Sequence, residues 1–261
     1  MFTTLIVISL LFFVGAIILS KKPPSKPKSD EIEPLEKKYI DVLNAKISFY
    51  EQLSPEDKER FEHDVNVFLR TTKITGIQTA INHEDETLIA AGACIPVFNF
   101  PEWQYNNLNE VILYPNLFDE NFATQGKGRF VSGMVGNGVM EGKMILSKRS
   151  LHLGFDNRTD KKNVAVHEFI HLIDKADGSI DGVPSLFVDK TFALPWFELM
   201  RQKIKEIEKN KSDINPYGAT NPAEFFSVVS EYFFERPKLL KKKHPQLYDE
   251  LTEIFDGKKR L

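Results

Sequence analysis

His167-Glu168-Phe169-Ile170-His171 is the most informative stretch of the sequence, because on an α-helix it brings two imidazoles together. Residues four apart on an α-helix are rotated by only about 40° from one another, so both imidazoles project from the same face. Imidazole nitrogens in that arrangement can bind one metal ion. Glu168 is turned about 100° away from His167, where its carboxylate can reach a water molecule beside the ion and act as a general base.

The residues that flank this stretch favour a buried helix. The segment is apolar on nearly every side, which is typical of a helix in the protein interior. Its apolar residues outside the motif are Val164, Ala165, Val166, Leu172 and Ile173. Residues 157–160 offer candidate N-cap side chains, and Asp177-Gly178 is a natural C-terminal stop. Two histidines and a glutamate on a buried helix need polar partners, and a metal ion supplies them.

Composition limits the other classes of function. The chain has 261 residues, of which 42% are hydrophobic and 27% charged, and its net charge is −3. This balance is ordinary for a globular protein and gives no reason to expect direct binding to nucleic acid. Cys94 is the only cysteine, so an intrachain disulfide is excluded. Its small apolar neighbours predict a buried thiol rather than a nucleophile.

The N-terminal segment predicts a membrane anchor. Residues 2–19 carry no charge and are long enough to cross the hydrocarbon core of a bilayer. No lysine or arginine precedes the run and no small-x-small cleavage site ends it, so a cleaved signal peptide is the weaker interpretation. Lysines follow at once, so we expect a transmembrane anchor over residues 1–20 and a cytoplasmic catalytic domain. Residues 21–34 predict an extended linker, which leaves 35–261 for the folded domain.

The rest of the chain predicts an α+β fold that is mainly helical, with a small sheet beside the H-E-x-x-H helix. Strands are predicted at residues 74–77, 110–114 and 143–147, and helices at 36–53, 55–69, 87–94, 196–209, 221–234 and 244–255. A peptide can add to an exposed sheet edge as an extra strand. Residues 143–148 are the candidate edge strand.

A hydrolytic metal site usually takes a third protein ligand. Glu224 and Glu231 are the candidates, because they lie nearly two turns apart on an otherwise apolar helix, where an unpaired carboxylate is costly. Glu224 also has a simpler explanation as the capping-box acid that follows Asn221. Spacing alone does not choose between the two acids. Asp174, one turn past His171, either accepts a hydrogen bond from an imidazole or faces solvent.

Three motifs together resemble a known family. They are H-E-F-I-H-L-I-D at 167–174, G-V-P at 182–184 and N-P-A-E-F-F-S-V-V-S-E-Y-F-F at 221–234. The chain resembles the Mlc titration factor A family of zinc-dependent peptidases over roughly residues 50–255. The resemblance implies a zincin-like domain, similar to the core of lethal-factor-type metalloproteases. It also implies one Zn²⁺ per chain.

The resemblance assigns roles that spacing leaves open. It implies that His167, His171 and Glu224 are the metal ligands and that Glu168 is the catalytic base. Glu231 is then expected to contact a ligand side chain rather than the metal ion. Tyr217 matches a family tyrosine whose phenol could hydrogen-bond the oxyanion of the tetrahedral intermediate, although a packing role is equally compatible with its position.

The chain departs from some family members in its histidines. Those members have a histidine in the loop after the strand at 110–114, thought to approach the metal, whereas this chain has none between residues 84 and 151. Masking of the metal by that route is therefore not expected. Most of the other histidines are expected at the surface, and His152 is expected outside the site although it precedes the metal helix closely. The surface set is His63, His83 and His244.

These features predict a zinc metallopeptidase with aminopeptidase-like activity on a peptide or protein substrate. The alternative is a zinc-dependent regulatory protein that binds a transcriptional repressor of the Mlc type, with weak or incidental hydrolysis. A structural zinc with four protein ligands is a third alternative. The predicted anchor is a further departure, because the family members that act on Mlc are soluble.

Overall fold

Helices dominate the computed structural model, which describes residues 33–101, 103–119, 124, 130–136 and 138–257. The helices of these residues are α1 Lys37–Lys46, α2 Ser48–Glu51, α3 Pro55–Thr71, α4 His83–Cys94, α5 Lys148–Asp156, α6 Val164–Asp174, α7 Lys190–Glu208, α8 Pro222–Glu235, α9 Pro237–Lys243 and α10 Pro245–Phe255. The strands are β1 Lys73–Gly76, β2 Glu110–Tyr114, β3 Gly133–Val135 and β4 Lys143–Ser147. The predicted α+β class, mainly helical with a small sheet, is confirmed.

The four strands form one mixed sheet in the order β1-β2-β4-β3. β1, β2 and β4 are parallel, and β3 is antiparallel to β4. The prediction that residues 143–148 form the edge strand is therefore wrong. β4 lies inside the sheet because the glycine-rich segment before it turns back and adds β3 on its outer side.

The strands alternate between two apolar layers. Val111 and Leu113 of β2 join a core formed with α1–α6, which we call the sheet core. Ile112 and Tyr114 face the other way and pack in a small cluster on the outer face of the sheet. β4 repeats this alternation, as the two-residue period of a strand requires.

The H-E-x-x-H motif lies on α6, which is shared by two cores. Phe169 and Leu172 pack into the sheet core. Val166, Ile170 and Ile173 pack into a second core formed with α7–α10, which we call the helical core. The predicted burial of this helix is confirmed. α6 contacts α8 on one side and β3 on the other, so the remaining stripe of α6, with both histidines, faces the space between them.

The ends of α6 differ in part from the prediction. The N-cap is Asn163, whose Oδ1 accepts the backbone N–H of Val166 at 3.2 Å, and not a residue of 157–160. The C-terminal end agrees with the sequence, because α6 runs into a 3₁₀ turn at Lys175–Asp177 that Gly178 ends in the left-handed conformation.

The N-terminal predictions fall outside what the structure describes. Residues 1–20, the predicted anchor, and all but the last two residues of the 21–34 linker lie outside the described residues. In the described part of the chain, none of the helices combines the length and the apolar character needed to cross a bilayer. The folded domain itself forms one compact unit from Pro34 onward.

Candidate metal centre

Two capped helices bring the predicted ligands together. His167 and His171 project from α6, and Glu224 lies in the first turn of α8. Asn221 caps α8 by accepting the backbone N–H of Glu224 at 2.9 Å, as the capping prediction requires. The Glu224 carboxylate does not fold back on the cap, however, but lies against the two imidazoles.

Three ligand atoms form a small triangle, which we call the His-His-Glu cluster. The Nε2 atoms of His167 and His171 are 3.2 Å apart. Oε2 of Glu224 is 3.0 Å from Nε2 of His167 and 3.4 Å from that of His171. Bonds of 2.0–2.1 Å to a tetrahedral ion would place neighbouring ligands about 3.3 Å apart. The triangle therefore has the size that a tetrahedral divalent ion with such bonds needs, and among the described residues these three side chains supply the ligand atoms.

The far nitrogen of each imidazole is bound by a side chain of α8. Nδ1 of His167 lies 2.7 Å from Oε1 of Glu231, and Nδ1 of His171 lies 3.2 Å from Oγ of Ser227. An acceptor at Nδ1 fixes the proton there and leaves the lone pair of Nε2 free for a metal ion. Positions 224, 227 and 231 lie on one face of α8. Ser227 was missed from the sequence, although its position three residues after Glu224 is a signal for that face.

The charges of the cluster suit a divalent cation. Burial works to raise the pKa of Glu224, but hydrogen bonds from His167 and His171 hold it well below its usual range. Burial works to lower the pKa of His167, but the charge of Glu231 and its hydrogen bonds to Glu224 and Glu231 raise it well above its usual value. The surroundings that favour a second proton on this imidazole equally favour a positive ion at its Nε2.

Glu168 lies beside the cluster as a buried carboxylate. Its side chain points toward β3, and a Cβ atom built at Gly133 would lie 2.5 Å from its Oε1. The residue is 5% exposed, and burial raises its pKa, against the opposing effect of the two histidines. A carboxylate with a raised pKa accepts a proton more readily than an ordinary one, which suits a general base.

Tyr217 lies beside the cluster. It lies in the 3₁₀ turn Pro216–Ala219 before α8, and its ring centroid is 6.0 Å from that of His167. The side chain is 52% exposed, so it does not fill the core. Burial of the hydroxyl group and the charge of Glu224 raise its pKa to about 12, so the phenol keeps its proton at neutral pH and can donate a hydrogen bond.

The structure separates the other candidate groups from the cluster. Asp174 is 1% exposed and accepts the backbone N–H of Gly182, so it neither faces solvent nor orients an imidazole. His152 pairs with Asp85 at 2.7 Å. The expectation that His244 lies at the surface is wrong, because it is buried beside Asp213. Cys94 is buried, as its neighbours indicated.

Comparison with known proteins agrees with the motifs. Residues 25–256 match the family model described as glucose-regulated metallo-peptidase M90. An uncharacterised protein of Synechocystis sp. is 31% identical over 233 residues, which cover 85% of this chain and 84% of that protein. Mlc titration factor A of Serratia proteamaculans is 26% identical over 221 residues, covering 78% of this chain and 82% of the relative. Mlc titration factor A of Escherichia coli O1:K1 is 26% identical over 204 residues, covering 72% and 74%.

Proposed function

The chain belongs to the glucose-regulated metallopeptidase family M90, and we propose that it hydrolyses peptide bonds at one zinc ion held by His167, His171 and Glu224. The observation that carries the proposal is the triangle of three ligand atoms 3.0–3.4 Å apart. Two imidazoles and a carboxylate form a donor set that zinc uses in hydrolytic sites. When bound, zinc supplies a Lewis acid that activates water and polarises a carbonyl group.

The protein's own residues supply the proton transfers. In this proposal Glu168 takes a proton from the attacking water and later gives it to the leaving amine, and its raised pKa supports both steps. Tyr217, in the same proposal, donates a hydrogen bond to the oxygen on which negative charge develops. Glu231 and Ser227 hold the two imidazoles in the orientation that directs Nε2 toward Glu224.

The edge of β3 offers a place for the substrate backbone. The backbone N–H of Ser147 donates to the carbonyl of Ser132, and the backbone N–H of Gly136 donates to the carbonyl of Lys143. In this strand, the backbone N–H and C=O groups of the even-numbered residues therefore point toward β4. The backbone groups of Gly133 and Val135 must then point away from β4. Among the described residues, the pairing on that side stops at the bridge of Phe118 with Val131. A peptide that adds next to Gly133 would run directly past Glu168.

Replacement of the base tests the proposal. Glu168→Gln keeps the shape of the side chain but cannot take the proton, so we expect kcat to fall by roughly 10²–10⁴-fold. The bound zinc, measured by metal analysis, and the melting temperature should stay at wild-type values. Glu208→Gln, an exposed acid on α7, is the matched control. Full peptidase activity in the Glu168 variant would remove it as the base.

Metal identity needs its own measurement. A chelator should abolish cleavage of a peptide library, and Zn²⁺ should restore it at one equivalent per chain. Restoration by another divalent ion at lower concentration than Zn²⁺ would contradict the assignment of zinc.

We further propose an aminopeptidase-like specificity, which the resemblance to the family supports. Matched peptides with free and acetylated N-termini test it. Cleavage of the free peptides alone, one residue from the N-terminus, is the expected result. Equal cleavage of both sets at internal bonds would instead identify an endopeptidase.

A second role is proposed from the relatives. Two of them are named Mlc titration factor A, and this supports binding of a transcriptional repressor of the Mlc type, with hydrolysis secondary. Titration calorimetry of the Glu168→Gln variant with purified Mlc separates the two roles. Binding that survives the substitution supports the regulatory role. No heat of binding with either the wild-type protein or the Glu168→Gln variant argues against it.

A further inference from the structure

A buried contact joins the two helices that carry the His-His-Glu cluster. Asp174 is the last residue of α6, one turn after His171, and its Oδ2 accepts the backbone N–H of Gly182 at 3.0 Å. Gly182 belongs to the loop between α6 and α7. Its carbonyl accepts a hydrogen bond from Nε1 of Trp196, in α7, at 2.7 Å. Both ends of the Gly182 residue are therefore fixed by buried side chains.

Gly182 also touches the start of α8. It has a φ of +76°, and a Cβ atom built on it would lie 2.4 Å from the backbone oxygen of Pro222. Only glycine permits this approach at this backbone conformation. Pro222 is the first residue of α8, two positions before Glu224. A direct path of contacts thus runs from the helix of the histidines, through Gly182, to the helix of the carboxylate.

We propose that Asp174, acting through Gly182, is a positioning residue that sets how far Glu224 lies from His167 and His171. The proposal rests on the ligand role of Glu224 proposed above. Asp174 is buried, and its other oxygen, Oδ1, has no hydrogen-bond partner among the described residues. A buried acid with a single hydrogen bond contributes little net stability. Its position is explained instead by the loop that it holds against Pro222.

Metal affinity, measured by competition with a chelator, is the test. Asp174→Ala removes the acceptor, so the loop and the first turn of α8 can move away, and we expect zinc binding to weaken by roughly 10–100-fold. Asp174→Asn keeps an oxygen for the N–H of Gly182 and should stay within about threefold of wild type. Asp181→Ala removes a neighbouring exposed acid, whose Oδ1 accepts the N–H of Val183, and is the control.

A double-mutant cycle separates positioning from a general loss of stability. If Asp174 acts through Glu224, then Asp174→Ala should cost no further metal affinity once Glu224→Ala is present. The visible absorption spectrum of the Co²⁺-loaded Asp174→Ala protein should approach that of Glu224→Ala, because both lose the same ligand. A merely structural role would lower the melting temperature and leave the spectrum unchanged. Trp196→Phe removes the donor to Gly182 together with part of a buried ring, should give a smaller loss of the same kind, and serves if Asp174→Ala does not fold.

The outcomes distinguish this proposal from the proposed function. Wild-type metal affinity in Glu224→Ala would overturn the metal centre itself. If Glu224→Ala binds metal more weakly but folded Asp174→Ala or Trp196→Phe binds it with wild-type affinity, only the positioning role would be overturned. Losses from Asp174→Ala and Glu224→Ala that add in the double variant would also overturn it.

Discussion

Gly133 determines how closely the edge strand approaches the Glu168 carboxylate. A Cβ atom there would lie 2.5 Å from Oε1 and 2.8 Å from Cδ of Glu168. The flexible end of a glutamate can move aside at low cost, so the fold should tolerate Gly133→Ala. Catalysis should not, if Glu168 is the general base proposed above, because a base must stay within hydrogen-bond reach of the water that it deprotonates. We expect kcat to fall by roughly 10²-fold, with the melting temperature and bound zinc unchanged.

The pattern of effects in Gly133→Ala identifies their cause. Peptide cleavage, metal analysis and thermal melting are measured on the same preparation. A loss of zinc together with activity would show that the strand acts on the ligands rather than on Glu168. Wild-type kcat would contradict the close approach itself.

Glu231 is expected to control metal affinity through His167. Its Oε1 binds Nδ1 of His167 at 2.7 Å, and its Oε2 accepts the backbone N–H of Asn163 at 2.6 Å. Glu231→Gln can keep one of these contacts but loses the negative charge that makes the imidazole a better ligand. We expect zinc affinity, measured by chelator competition, to fall by roughly 10–100-fold. Glu208→Gln should have no effect, and wild-type affinity in the Glu231 variant would contradict the prediction.

The sequence identified single residues of the site unevenly. His167 and His171 follow from helix geometry, because a spacing of four residues puts both imidazoles on one face of α6, where their Nε2 atoms meet. Spacing could not choose between Glu224 and Glu231, since both lie on one face of α8 and both in fact reach His167, through different nitrogens. Gly133 was not predictable, because its role depends on a strand pairing between distant parts of the chain.

Asp213 connects α8, the junction of α9 and α10, and the loop that precedes α6. It accepts hydrogen bonds from Tyr232 at 2.9 Å and pairs with His244 at 2.8 Å. The ammonium groups of Lys161 and Lys243 each lie 3.2 Å from its Oδ2. Burial alone would raise the pKa of Asp213, but these partners hold it well below its usual value. The carboxylate therefore ties α8 to the junction of α9 and α10.

Asp213→Asn should destabilise this junction. The variant keeps one acceptor and loses the negative charge of this half-buried carboxylate, so we expect a cost of about 2 kcal/mol at pH 7, as for loss of hydrogen bonds to a charged group. That corresponds to a fall in melting temperature of roughly 4–8 °C for a domain of this size. Asp189→Asn, an exposed residue at the start of α7, is the control.

The stabilisation that Asp213 provides should depend on pH, and Asp213→Asn measures this dependence. The folded pKa of Asp213 is depressed, so its stabilisation is present above the unfolded pKa of about 3.9 and is lost as pH falls toward the folded pKa. The difference in melting temperature between wild type and Asp213→Asn should therefore shrink below about pH 4. A difference that grows at acid pH would show that another group dominates.

Elements with a clear apolar period were predicted well, and those without one were missed. The strands at 110–114 and 143–147 match β2 and β4, because their alternating side chains serve two apolar layers. α7 begins at Lys190 rather than at 196, since the helix continues through Pro195. α5 and α9 were missed because they are short and mostly polar, and α9 has Leu240 as its one buried residue.

The position of α6 between the sheet core and the helical core explains why the H-E-x-x-H motif predicts the site. The sheet core fixes one side of α6 and the helical core another. The stripe left over can only face the space between β3 and α8, where Glu168 meets Gly133 and the histidines meet Glu224. The apolar character of the segment predicted its burial, but its neighbours depend on long-range packing that local patterns do not encode.

We propose that the N-terminal segment attaches this domain to a membrane. The compact unit begins at Pro34 and contains both cores, so removal of residues 1–32 should leave zinc content, kcat and melting temperature unchanged. In a bacterial host, the full chain should sediment with membranes and require detergent for release, whereas the shortened chain should be soluble.

The lysines from Lys21 to Lys28 should keep the catalytic domain in the cytoplasm, because positive flanks are retained there. A C-terminal fusion to a fluorescent protein should then be fluorescent, and one to alkaline phosphatase inactive. A full-length preparation found in the periplasm, with its N-terminus near residue 20, would show a cleaved signal peptide in place of an anchor.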